Sequence, residues 1–176
     1  MKKLTILLAS CSLLLFSCRK DNRVRLFEIA YPNTFFDLPA GMSYVLPRVF
    51  EVPAVRSNYS VFLNSSGFAD EMVQVVSPLS ATITSLDPGL RYDFLREVSV
   101  RICPIGSKPC TPADEVFYID RIQRIANDRI QLLPTLRNVK SLISNEFFKL
   151  EVVFFLETTS PYYVESKLDM AFEATQ

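Results

Sequence analysis

This chain contains no histidine, so side-chain chemistry would have to come from carboxylates, hydroxyls, amines, guanidiniums and its four cysteines. Ser-His-Asp triads, Cys-His pairs and His-ligated zinc sites are excluded on that ground alone. The four glycines stand isolated at 41, 67, 89 and 106, so neither a G-x-S-x-G elbow nor a Gly-rich phosphate cradle exists. S-x-x-K occurs at Ser17–Lys20, beside an apolar leader, and does not read as a nucleophile pair. Adjacent carboxylates occur at Asp70-Glu71 and Asp114-Glu115. A glycosidase needs two carboxyls facing each other across a cleft. Neighbours on a strand point to opposite faces, and Asp70-Glu71 has the chemistry of a helix's first turn. Asp120 with Asn127-Asp128 offers oxygen ligands for calcium. No Asp-x-Asp-x-Asp-Gly loop accompanies them, and Asn-Asp is also ordinary turn chemistry, which is the preferred reading. No metal and no cofactor is expected. Tyr162-Tyr163, just after Pro161, can stack on a sugar ring or anchor a protein partner. The competing reading folds one ring back onto the protein.

The first segment reads as an address. Met1-Lys2-Lys3 is a short positive start, and Leu4 to Phe16 is an apolar run too short to span a bilayer. It ends in Leu15-Phe16-Ser17-Cys18, which resembles the lipobox of bacterial lipoproteins. That resemblance implies cleavage before Cys18, a diacylglyceryl group on its thiol and usually an acyl chain on its new amino group. Leu8-Ala9-Ser10-Cys11 fits the same pattern, but cleavage there leaves a short apolar core and a greasy stub, Ser12 to Phe16. Cleavage at Cys18 leaves the polar start Arg19-Lys20-Asp21-Asn22-Arg23. The competing readings are an ordinary secretory signal and an uncleaved anchor. The expected organisation is a signal peptide over 1–17, a lipidated tether over 18–23 and one folded domain over 24–176. Two cysteines then remain, Cys103 and Cys110, separated by Pro104 to Pro109. In an exported chain they read as a small disulfide loop, with two free thiols as the alternative.

The elements that position these residues read mainly as strands. Phe148, Leu150, Val152, Phe154 and Leu156 alternate with other residues, as do Leu168, Met170, Phe172 and Ala174. Period two predicts one buried and one wetter face, and the two runs read as one long antiparallel hairpin. On that reading Lys149 and Glu173 lie on wet faces. Glu97 to Cys103 and Glu115 to Asp120 predict a second hairpin with the cysteine loop at its tip. Further strands are expected around 34–38, 45–52, 58–63, 79–86 and 128–133, after an initial strand-like run over 24–29. Helical spacing predicts short helices at Phe68 to Val76 and at Leu136 to Ser144, the latter with Leu136, Val139, Leu142 and Ile143 inward. Phe35-Phe36, Phe147-Phe148 and Phe154-Phe155 are expected to be core or half-core pairs. Arg121, Arg124 and Arg129 read as a solvated face. The fold class this predicts is all-β: an antiparallel β-sandwich with two short helices.

Composition narrows the function. The chain has 176 residues, 49% of them apolar, so one packed domain is expected. Lysine plus arginine equals aspartate plus glutamate at 19 each, which argues against a nucleic-acid partner. The Leu15–Cys18 start, Phe36-Asp37-Leu38-Pro39-Ala40-Gly41-Met42 and the Val139 to Phe172 block together resemble uncharacterised lipoproteins of Bacteroidota-type bacteria. That resemblance implies no activity and no catalytic residue. Three classes follow: a lipid-anchored, non-catalytic envelope module that binds a partner or supports an assembly, a surface carbohydrate- or polymer-binding lipoprotein using Tyr162 and Tyr163, and a hydrolase using carboxylates alone. The first is preferred, its partners being the bilayer through acylated Cys18 and an envelope protein or glycan. Arg19 follows Cys18 where the enterobacterial sorting rule places Asp for inner-membrane retention, which favours the outer membrane and leaves its face open.

Overall fold

The computed structural model describes residues 23–106, 109–122 and 128–176. Cys11, the Leu15–Cys18 motif, Arg124 and Asn127 lie outside the described residues. Eight strands follow one another: β1 (Arg25–Leu38), β2 (Arg48–Arg56), β3 (Val75–Ser85), β4 (Leu95–Cys103), β5 (Glu115–Ile119), β6 (Arg129–Pro134), β7 (Phe147–Leu156) and β8 (Val164–Thr175). Two short helices, α1 (Tyr59–Ser66) and α2 (Lys140–Ile143), and single 3-10 turns at Asp70–Met72 and Pro112–Asp114 complete the described elements.

The strands form one antiparallel sheet in the order β1-β8-β3-β6-β5-β4-β7-β2. Only Phe117↔Pro134 and Tyr118↔Leu133 join β5 to β6. At that seam the sheet turns back on itself, so β1-β8-β3-β6 faces β5-β4-β7-β2 across the core. Ring contacts cross between the layers: Tyr31 to Phe148 at 5.5 Å, Phe36 to Phe154 at 5.4 Å and Phe117 to Phe172 at 5.5 Å. The protein is therefore all-β and antiparallel, as its periodicity predicts. It differs from the expected sandwich in detail, because the two layers are one nearly closed sheet. The end strands β1 and β2 meet through side chains. Phe36 lies 5.3 Å from Phe50, and the Tyr31 hydroxyl donates to the Ser57 carbonyl at 2.6 Å.

Prolines coincide with three of the register shifts in this sheet. The register of β1 shifts between Tyr31 and Thr34, across Pro32-Asn33; that of β2 between Val52 and Val55, across Pro53; that of β3 between Pro78 and Ser80. A proline cannot donate to the ladder, so each strand bulges there, and a bulge bends and twists its strand. Pro78 lies outside the Ala81–Thr84 stretch that pairs with β6, so its missing N–H breaks none of those pairs.

Several expectations are overturned. β7 and β8 are not a hairpin: β7 pairs with β2 and β4, β8 with β1 and β3. Their alternation reports two separate buried faces, which period two alone cannot distinguish from one shared ladder. Phe68 to Val76 is not a helix; it contains one 3-10 turn and the start of β3. The helix falls instead on 59–66, where a strand was expected. Tyr59, Phe62, Leu63 and Ser66 satisfy helical spacing as well as β-like composition. Asn58 and Gly67, both left-handed, mark its ends, and the Gly67 amide bonds the Asn64 carbonyl. Leu136 is not inward but 97% exposed, because α2 begins only at Lys140. Phe35 and Phe147 face outward while Phe36 and Phe148 are buried, so both pairs are half-core, within the expectation. The β4–β5 hairpin stands as expected.

Candidate functional site

Register sorts the loops into two ends. Arg25 pairs with Thr175, Val75 with Thr175, Arg56 with Phe147 and Cys103 with Lys149. Arg23, the C-terminus, both helices and the cysteine loop therefore share one end. Leu38 pairs with Val164, Thr84 with Arg129 and Leu95 with Leu156, which gathers the loops 39–47, 86–94 and 157–163 at the other.

At the terminal end, Cys103 and Cys110 are bonded, with an S–S distance of 2.06 Å. Three of the carboxylates that offered acid–base chemistry are engaged in local bonds. Asp70 accepts from the Tyr59 hydroxyl at 2.6 Å and pairs with Lys140 at 3.2 Å. The Tyr59 bond, aided by Lys140, holds its carboxyl below the usual aspartate range. Asp114 accepts from the Thr111 amide and hydroxyl at 2.8 Å and from Arg137 at 2.9 Å. Burial pushes the Asp114 carboxyl up, but these donors outweigh it and leave it lowered. Glu115 accepts from the Ser99 hydroxyl. Asp70, Asp114 and Glu115 thus each have their own donors, and no two of these three carboxyls share one.

The far end is a clamp of loops. The Ser160 hydroxyl donates to the Pro39 carbonyl at 2.7 Å and accepts from the Met42 amide at 2.8 Å. Tyr162 packs edge-on against Phe94 at 5.8 Å and donates to the Arg91 carbonyl at 2.7 Å. It is a loop fastener, the folded-back alternative. Tyr163 is exposed and turns the other way, toward Asp37, whose hydrogen bond raises its pKa. The two tyrosines therefore do not form one flat platform. Tyr44, Val45 and Leu46 are exposed on the neighbouring loop. At the same end a cavity of about 610 Å³ is lined by Asp93, Arg96, Glu97, Asp120, Arg121 and Glu157, with Arg96 bonded to Glu97 at 2.9 Å. Asp120 and Asp128 serve different places: Asp120 lines this cavity, and the Asp128 carbonyl accepts from the Ser85 amide at 2.7 Å. Arg121 and Arg129 are solvated, as expected.

The most unusual charges were missed by sequence reasoning. Lys149 and Glu151, on the outward face of β7, are only 5% and 2% exposed. The Lys149 ammonium lies 2.8 Å from Glu151 and 3.1 Å from Glu51 of β2. Its pKa is raised, first by the Glu151 bond, which together with Glu51 outweighs desolvation. Glu51 and Arg101 are the cross-strand partners of Glu151, and Glu115 is that of Arg101. The row Glu51–Glu151–Arg101–Glu115 so crosses four strands with Lys149 bridging its acidic end. Val153 and Phe155, on the same outward face, were the available signal that this face is not wet. Among the described residues, no group of three or more potential ligands is placed to hold a metal, and no helix is long and apolar enough to cross a membrane. No protein family matches the chain, and no curated protein matches it.

Proposed function

We propose that this protein is a lipid-anchored, non-catalytic module of a bacterial cell envelope that binds a partner or supports an assembly. The observation that carries the reading is Leu15-Phe16-Ser17-Cys18 standing five residues before Arg23, where the described body begins. The anchor and the fold adjoin each other with almost no stalk. The engagement of Asp70, Asp114 and Glu115 in structural bonds supports a non-catalytic role. The disulfide supports an oxidising compartment, since cytosolic thiols are normally kept reduced. The outer membrane is the favoured location, on the Arg19 argument above.

Intact-mass analysis of protein extracted from membranes should show Cys18 as the first residue, carrying a diacylglyceryl group. Cys18→Ala should move the protein into the soluble or precursor fraction. A free Cys18 thiol, or a start at Cys11, would reject the anchor.

A second reading, glycan binding, is favoured by one observation: Tyr163 and Tyr44 are both exposed at the end remote from Arg23. A glycan screen in which Tyr163→Ala and Tyr44→Ala abolish a hit supports it, and a blank screen removes it. A carboxylate hydrolase ranks behind both.

A further inference from the structure

The end of the sheet where the chain enters carries exposed apolar side chains from four separate elements. Val24 precedes β1, Val61 lies on α1, Ile105 follows β4 and Leu136 follows β6; all are at least half exposed, Leu136 almost completely. Single exposed apolar residues are common, and the opposite end has its own in Tyr44, Val45 and Leu46; what distinguishes this end is that the tether leaves from it. Leu136 is also close to the entering chain. A cavity of about 410 Å³ is lined by both Arg23 and Leu136, along with Arg25, Leu79 and Pro134. On the anchor reading above, the chain from Cys18 to Arg23 reaches at most ~18 Å. A body on so short a tether must present the Arg23 end to the lipid.

We propose that this end rests on the bilayer, with Leu136 as its deepest contact and Val24, Val61 and Ile105 around it, so that the Tyr44–Leu46 loop and Tyr163 point away from the membrane. The proposal rests on the anchor reading and adds an orientation to it. Apolar insertion, not the charge of the folded body, seats Leu136; the cations Arg19, Lys20 and Arg23 belong to the tether, which the lipid anchor already holds at the surface. Arg25 is paired with Glu28 and Glu173, Arg56 with Glu146, Arg137 with Asp114 and Lys140 with Asp70. Cations neutralised in this way add little attraction to anionic lipid, so a zwitterionic bilayer suffices and salt has little effect.

The chain contains no tryptophan, so a single introduced one is a clean reporter. Full-length protein, made with its own leader and lipidated, is reconstituted into phosphatidylcholine vesicles containing brominated acyl chains. Two variants are compared, Leu136→Trp and Val45→Trp, both at exposed positions where folding is not at risk. Flotation reports the anchor, and quenching reports the orientation. The expected result is flotation of both, a blue shift and loss of most emission at position 136, and neither at position 45. Raising salt from about 0.1 M to 1 M, which shortens the screening length roughly threefold, should leave the quenching at 136 unchanged. Flotation without quenching at 136, or equal quenching at both positions, overturns the orientation and spares the anchor. A salt-induced loss of quenching overturns apolar insertion. Failure to float overturns both readings.

Discussion

At Lys149 a strand position that alternation marks as wet is buried, because β7 lies between β2 and β4 with long side chains on either hand. Glu51 and Glu151 are directly opposed, an arrangement that destabilises a sheet unless a cation lies between them. Lys149 supplies it. Glu151→Ala removes the shorter of its two ion pairs and should cost about 2 kcal/mol. Lys149→Met leaves Glu151 buried without this ammonium and should be clearly more damaging than Glu173→Ala, whose partner Arg25 stands 4.0 Å away at the surface. The double change Lys149→Met with Glu151→Leu should recover most of the loss, since replacing a buried pair by apolar side chains is often neutral. Urea denaturation of the four variants decides this. Equal, small losses for Lys149→Met and Glu173→Ala would mean that the outward face of β7 is solvated after all.

At the scale of elements, the sequence showed where strands lie better than which strands pair. β4 and β5 were legible as a hairpin because their alternation, the short loop and the two cysteines agree. β7 and β8 were legible as strands, with Phe154 and Phe172 correctly on buried faces, but not as members of opposite layers. Pairing across a nearly closed sheet is a long-range property, and period two is local. Residues 59–66 fit both periods, and the choice was made by the left-handed residues at Asn58 and Gly67. For the site, the disulfide was readable from spacing, whereas the burial of Lys149 and the turn of Tyr162 toward Phe94 depend on neighbours distant in sequence. The layered arrangement makes its own prediction. Phe117 of β5 and Phe172 of β8 touch at 5.5 Å across the core. Phe172→Ala should cost roughly 3–5 kcal/mol. A double-mutant cycle of Phe117→Leu and Phe172→Leu should show a coupling of about 0.5–1.5 kcal/mol. Strictly additive losses would contradict the face-to-face placement of these strands.

For the molecule as a whole, the titrating groups define a stability plateau with a limb on each side. Asp70, Asp114 and Asp169 have pKa values below those of an unfolded chain. Burial would raise Asp169, but the Asn33 amide and Lys167 outweigh it. Depressed carboxyls contribute stability that is complete above the unfolded aspartate value, about 4, and is lost as pH falls through their folded values. Since Asp70 is half exposed and water screens its pair with Lys140, this acid limb should be shallow. The alkaline limb should be steeper. Burial raises Tyr31 and Tyr59 and brings Tyr92 to about 12. Raised tyrosines contribute stability that is complete below the unfolded value, about 10, and is lost as pH climbs through the folded values. The bonds involved are structural: Tyr31 ties β1 to Ser57 at the end of β2, Tyr59 ties α1 to Asp70, and Tyr92 donates to Ser166 of β8 at 2.9 Å. Ionising any of them removes a donor and places an anion in the core or beside a carboxylate. Tyrosinate absorbance and circular dichroism, followed together above about pH 10, should therefore show part of the tyrosinate signal appearing only as the β-sheet signal collapses. Tyr31→Phe and Tyr92→Phe should each lower stability near neutral pH, by the lost hydrogen bond, and flatten the alkaline limb, because a phenyl ring has no proton to lose. If Tyr31 titrates near pH 10 with the sheet signal intact, the seam between β1 and β2 is open to water and the nearly closed sheet is wrong.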